Sequence, residues 1–150
     1  MPERSKRANR NARARPARKP LLVTAAVIHR DGKVLIGQRP RKGRHPLKWE
    51  FPGGKVESGE TPQQGLVREL REELQIEAAI GPEIARYRHH YPNGRGVDLL
   101  FFSVDNFSGA PVPRAFEQIC WADISALPSI DFLEGDLDFI HRLARGELKL

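Results

Sequence analysis

A single cysteine in 150 residues, Cys120, excludes an intrachain disulfide and leaves no cysteine cluster for a structural metal. In its strand-rich surroundings this thiol reads as a small buried hydrophobe. Long apolar runs are also lacking, since stretches such as LLVTAAVI are far too short to span a bilayer. No apolar segment follows the basic N-terminus as a secretory signal would require, so the expected location is the cytoplasm, with no membrane partner. Several familiar motifs are absent. GKVLIGQR has Gln38 where a P-loop needs Lys, GRGVDL lacks the third glycine of a dinucleotide fingerprint, and the five histidines show no zinc-site spacing. His89 and His90 read as strand-end residues. No internal repeat is visible. What is present, 39% hydrophobic and 29% charged residues, describes an ordinary globular chain. Its length allows one domain with a core that needs no disulfide.

The net charge of +6 is unevenly divided. Residues 1–20 hold eight Lys or Arg against Glu3, a balance of +7, which leaves the remainder at −1. This tail has no apolar side chain larger than Ala after Met1, so it cannot bury enough surface to order itself. The expected organisation is a disordered basic tail over 1–20 and one folded domain over 21–150. Electrostatics would let the tail touch nucleic acid non-specifically. Composition leaves monomer and homodimer both open.

From Leu21 the pattern changes. LLVTAAVIHRDGKVLIGQR reads as two strands joined by Asp31-Gly32, a strong hairpin signal. Residues 40–60, dense in Gly, Pro and charge, read as a long loop, and long loops inside compact domains tend to carry function. Thr61 to Leu74 predicts a helix: Thr61 as N-cap, Pro62 at the first position, Gln64 completing a capping box, and an apolar stripe of Leu66, Val67, Leu70 and Leu74. Strands are expected near 84–91, 97–104 and 118–122, and a closing helix over 137–145 with Gly146 as its terminator. Strands and helices mix without regular alternation, which favours an α+β fold, an α/β/α sandwich around a mixed sheet.

RELREELQ, residues 68–75, crowds Glu69, Glu72 and Glu73 onto one helix. At about 100° per residue they share an arc of roughly 100° that flanks the apolar stripe. A charged run is usually a solvated face, but like charges four residues apart repel, and the cost grows beside an apolar surface. A divalent cation with oxygen ligands turns that cost into a gain, and Mg²⁺ favours carboxylates and phosphate oxygens. The paired glycines of FPGGKVESGE permit close backbone approach just before the helix, and Glu57 and Glu60 add acids at its mouth. Metal-assisted attack of water on phosphorus follows from such a site.

Residues 54–76, GKVESGETPQQGLVRELREELQI, resemble the Nudix box, G-x5-E-x7-R-E-U-x-E-E-x-G-U with U apolar. Gly54, Glu60, Arg68, Glu69, Leu70, Glu72, Glu73 and Ile76 match; only Gln75 departs, standing where the family has Gly. The flanking LKWEFPGGKVESGETP further resembles the MutT-type branch, whose members hydrolyse nucleoside triphosphates. The resemblance implies a Nudix fold. It also implies Mg²⁺, with Mn²⁺ as a substitute, held by Glu69, Glu72, Glu73 and the Gly54 carbonyl. Glu69 is the first choice for the base that deprotonates or orients water, and Arg68 and Glu60 would hold the carboxylates in place. Arg39 matches an arginine that contacts substrate phosphate. Glu117 is the one candidate for a late metal-binding acid, against the alternative of a surface strand residue. Asp136 stands where the branch reads the base edge, although an Asp there is equally suited to cap the last helix. Tyr91 and Arg95 are candidates to line the same cleft.

The resulting expectation is Mg²⁺-dependent hydrolysis of a nucleoside triphosphate to the monophosphate and pyrophosphate, including oxidised purine nucleotides such as 8-oxo-dGTP. Three alternatives stay open: another nucleoside diphosphate derivative as substrate, an RNA 5′ end, or a nucleic-acid-binding module that uses the basic tail. Three intact crowded acids speak against a module that only binds.

Overall fold

The Asp31-Gly32 turn forms as its sequence predicts in a computed structural model of the protein, which describes residues 19–90, 92 and 94–150. Both residues take positive φ, 54° and 76°, and join β1 (Leu21–Arg30) to β2 (Lys33–Gln38). A two-residue turn of this hand matches the strand twist, and His29 and Arg30 pair with Val34 and Lys33. Beyond those pairs the two strands separate. The N-terminal half of β1 instead pairs with β4 (Gly53–Lys55), while the end of β2 pairs with β3 (Trp49–Glu50). Residues 40–60 are therefore not one featureless loop as expected. Two short strands inside them wedge between β1 and β2, a register that only long-range pairing could set. The basic tail lies outside the described residues up to position 18, as does Tyr91.

The sheet continues through β7 (Gly96–Val104), parallel to β1, to β6 (Glu83–His90) at one edge. On its other side β2 carries β9 (Gln118–Asp123). A second, two-stranded sheet of β5 (Glu77–Ala79) and β8 (Asn106–Ser108) was not visible in sequence. Its strands are three residues long, too short for periodicity to register. Alternation along β1 divides the core. Ala25 and Val27 face a cluster with Phe51, Phe101 and Phe139, the last on α2 (Leu137–Ala144). Ala26 and Ile28 face Leu66, Leu70 and Leu74 of α1 (Pro62–Leu74). One helix on each face of a mixed sheet is the expected α/β/α sandwich. Phe101 and Phe139 stack at 3.8 Å between centroids, which locks α2 to the sheet.

The ends of α1 follow the sequence closely. Thr61 Oγ1 accepts from the Gln64 N–H at 3.1 Å, and Gln64 Oε1 accepts from the Thr61 N–H at 2.9 Å. The buried stripe is Leu66, Leu70 and Leu74 with Gly65, whereas Val67 is only half-buried, at the far margin of the arc. Cys120 also departs from expectation: it sits in β9 but is exposed, although Ala122, two residues further along the same face, is buried.

Gln75 takes the left-handed conformation, φ 57° and ψ 37°, that a glycine would adopt without strain. The helix still ends there because the 109–117 segment supplies donors to its last carbonyls: Val112 N–H to Leu74 at 2.8 Å and Arg114 N–H to Glu73 at 3.1 Å. A side chain in this conformation costs about 1 kcal/mol. Gln75→Gly is therefore expected to raise the melting temperature by roughly 2–4 °C for a chain of this size. An unchanged or lower midpoint by calorimetry would show that the loop contacts have already absorbed the strain.

Candidate active site

The site is built where α1 crosses β4. Gly53 has to be glycine, and Gly54 leaves the space that the Glu69 carboxylate fills. A Cβ on Gly53 would lie 2.0 Å from the Thr24 carbonyl oxygen, and one on Gly54 would lie 2.5 Å from the Glu69 carboxyl carbon. The Glu69 carboxylate thus rests directly on the Gly54 backbone, while Glu73 Oε2 accepts from the Gly53 N–H at 3.3 Å. The Gly54 carbonyl, an expected metal ligand, accepts from buried Thr24 Oγ1 at 3.2 Å, which fixes its direction.

Arg68 organises the other acids. Its Nε and Nη2 form a fork on Glu60 at 2.9 and 3.0 Å, and Nη2 also reaches the Lys55 carbonyl at 3.0 Å. Its Nη1 contacts Glu69 at 3.0 Å, Glu72 at 3.3 Å and Glu57 at 3.6 Å. The Glu60 fork, more than any other contact, raises the Arg68 pKa, and in return Arg68 holds Glu60 below the usual carboxylate range. Exposure then separates the three helix acids: Glu72 is 59% exposed and Glu69 only 16%.

Glu73 is half-buried, and among the described residues it has no ion-pair partner. Burial pushes its pKa up, and the neighbouring Glu69 carboxylate pushes it further. Among the described residues no three acids already converge as a closed metal cage. The donors nevertheless fit a hard divalent cation. Two carboxylates face each other against a fixed backbone carbonyl, and the inner one has no compensating cation among the described residues.

Two further acids stand across the cleft. Glu50 accepts from Arg39 Nη1 through both oxygens, at 3.1 and 3.3 Å. Burial raises its pKa against the pull of Arg39, and its charge is felt by both Glu73 and Asp136. The sequence reading did not include Glu50, although it is the only acid between Arg39 and Gly54 in an otherwise basic run. Asp136 is 7% exposed and precedes α2, yet its carboxyl makes no cap hydrogen bond. Burial first, then Glu50, pushes its pKa up to about 7. Helix capping therefore does not account for this residue.

The remaining candidates have other partners or positions. Arg39 is engaged by Glu50 and by the Arg44 carbonyl, to which its Nε donates at 2.8 Å. Glu117 is exposed and accepts from Arg41 Nε at 3.3 Å, so it would have to leave that arginine to join a metal. Arg95 lies half-buried just ahead of β7.

A glycine-backed carboxylate pair on a helix, organised by one arginine, has the donor chemistry that metal-assisted cleavage of a phosphoanhydride requires. The chain belongs to the Nudix family: the NUDIX domain matches residues 19–143. Among its relatives, CTP pyrophosphohydrolase of Escherichia coli is 43% identical over 99 residues, covering 66% of this chain and 73% of that protein. An 8-oxo-dGTP diphosphatase of Haemophilus influenzae is 34% identical over 127 residues, covering 84% and 93%. A crystal structure of a MutT NUDIX hydrolase from Burkholderia pseudomallei superposes with a TM-score of 0.72 at 25% identity, covering 83% and 98%. The chain is thus a MutT-type Nudix hydrolase, an enzyme that cleaves pyrophosphate bonds. Hydrolases of this family generally need a divalent metal ion. No helix among the described residues is long and apolar enough to cross a membrane.

Proposed function

We propose that this enzyme hydrolyses a nucleoside triphosphate to the monophosphate and pyrophosphate with Mg²⁺, oxidised purine nucleotides such as 8-oxo-dGTP being the first candidates. The observation that carries the reading is the close Glu69 and Glu73 pair on the Gly53-Gly54 backbone, with half-buried Glu50 and buried Asp136 near it. Mg²⁺, with Mn²⁺ in its place as an alternative, would be held by Glu69, Glu73 and the Gly54 carbonyl, joined by Glu72. When bound it neutralises phosphate oxygens and makes water more acidic. Glu69, kept against Gly54 by Arg68, accepts the proton of the attacking water, and the P–O bond of the anhydride breaks to release pyrophosphate. Arg39 is a candidate to meet substrate phosphate by exchanging Glu50 for it. Arg95 remains a candidate to line the cleft.

Asp136 reads the base edge in this account. With a pKa near neutrality it accepts hydrogen bonds when ionised and donates one when protonated, so it can serve either a guanine-type or an adenine-type edge. The relatives named for CTP and for 8-oxo-dGTP both suit a site of this kind. A screen of Mg²⁺-dependent hydrolysis over nucleotides, with products separated by chromatography, tests the substrate class. Asp136→Ala is expected to change the relative kcat/KM of purine and pyrimidine triphosphates by 10-fold or more, the effect of about 1.4 kcal/mol or more from one lost base contact. Equal losses on all bases would remove Asp136 from base reading.

A further inference from the structure

The segment between β2 and β3 is the most basic stretch of the described residues. It holds Arg39, Arg41, Lys42, Arg44, His45 and Lys48, with no acid before Glu50. Such a run is usually a solvated loop, but here the backbone is fixed. Arg39 N–H donates to Lys48 O at 2.8 Å, Gln38 Nε2 to Leu47 O at 3.1 Å, and Arg39 Nε to Arg44 O at 2.8 Å. His45 and Leu47, neither of them glycine, are held at positive φ, 50° and 61°. The loop is also tied to the cleft. It leads directly into Glu50, whose ionisation His45 favours through space, and Lys48 contacts Asp131 ahead of the segment that carries Asp136. Arg39, Arg41 and Lys48 are taken by Glu50, Glu117 and Asp131. Lys42 and Arg44 are exposed and make no ion pair with any described residue.

The catalytic cleft has the opposite character: one cation, Arg68, is shared among Glu57, Glu60, Glu69 and Glu72, and Glu73 stands beside Glu69 with no ion-pair partner among the described residues. A polyphosphate approaching this surface meets repulsion that one divalent ion offsets only locally. We propose that loop 40–47 is an electrostatic guide for the substrate's phosphate chain, with Lys42 and Arg44 as its free charges. It favours nucleotides in order of phosphate charge, monophosphates below diphosphates below triphosphates. This rests on the nucleotide reading above and adds a residue set that none of the site chemistry requires. Charges within about a Debye length of the cleft, ~10 Å at 0.1 M salt, raise the local concentration of a polyanion by 10-fold or more, and salt removes the effect.

The test compares the full chain with Lys42→Glu/Arg44→Glu. A control, Lys33→Glu/Lys149→Glu, makes the same charge change at the far end of β2 and near the end of the chain. Steady-state kinetics at saturating metal are measured at about 20 and about 300 mM salt, where screening lengths differ roughly fourfold. The expected result at low salt is a KM for the triphosphate raised about 10-fold in the loop variant, less for the diphosphate, with kcat unchanged and the gap closed at high salt. The control should move KM less than the loop variant does, because Lys33 lies at the opposite end of β2 from Arg39 and the attraction weakens with distance. Equal KM shifts in the two variants, or a loss that persists at high salt, would overturn the proposal. Calorimetry with inorganic tripolyphosphate and the metal reads the same attraction without turnover. If the wild type hydrolyses no nucleotide, the substrate reading fails while this arm still decides on the loop. Equal tripolyphosphate affinity in wild type and loop variant rejects the guide.

Discussion

Glu73→Gln should make the metal-free protein more stable while almost abolishing its activity. Among the described residues the inner carboxylate has no positive partner, and burial together with Glu69 raises its pKa. Between its ordinary value of 4.5 and that raised value, the folded chain binds more protons than the unfolded one. Stability therefore falls as pH rises through this window, and the full penalty applies above it. Glutamine removes the titration, so the variant's advantage should be small near pH 4.5 and grow towards pH 8, by about 1–3 kcal/mol after allowance for the partial exposure of the site. Excess Mg²⁺ should reverse the order, because only the wild type then gains binding free energy from the ion. Losing a ligand whose charge supports the transition state by about 4 kcal/mol lowers kcat/KM by ~10³-fold. Thermal scans across pH, with and without Mg²⁺, and one kinetic series provide the check. A variant less stable than wild type without metal, or one that retains turnover, would contradict the ligand role.

Arg68→Gln is expected to act through the metal. The guanidinium joins Glu60, Glu69, Glu72 and the Lys55 carbonyl, and is the only cation hydrogen-bonded to Glu69 among the described residues. Its loss releases Glu69 from the position against Gly54 and leaves Glu60 without the partner that lowers its pKa. Groups that orient ligands in this way contribute roughly 10–100-fold to metal affinity. Half-saturation of activity should thus move to 10–100-fold higher Mg²⁺, with most of kcat recovered when metal is saturating. Arg68→Lys should rescue little, since an ammonium cannot make the planar fork on Glu60. Because Glu60 is held low, the lost stability should be seen above its ordinary value and vanish as pH falls through the depressed one. An unaltered metal titration would show that the helix alone positions Glu69.

Much of the fold was legible because its signals are local. Asp31-Gly32 required a turn with positive φ, Thr61-Pro62 and Gln64 required a helix start, and the 1–4 spacing of Leu66, Leu70 and Leu74 required a buried face. The strands β3 and β4 were not legible, since two and three residues carry no period and their pairing depends on partners distant in sequence. For the same reason the exposure of Cys120, on the face of β9 that buries Ala122, could not be read from the sequence.

The candidate site divides along the same line. Glu69, Glu72, Glu73, Arg68 and Gly54 lie within one short stretch, so helix geometry and the family box already placed them together. Their unequal burial, and the want of a cation beside Glu73 among the described residues, came from the sheet packed beneath them. Glu50 became part of the site only because β3 pairs with the end of β2 and brings it to Arg39. Asp136 could be either a helix cap or a cleft residue by sequence, and the packing of α2 left its carboxyl uncapped and buried opposite Glu50. By itself the sequence determined which residues carry charge and which local turns and helices form, because those depend on neighbours within a few positions. Only the tertiary structure decided which charges are desolvated and which face one another, because burial and field depend on elements far apart in the chain.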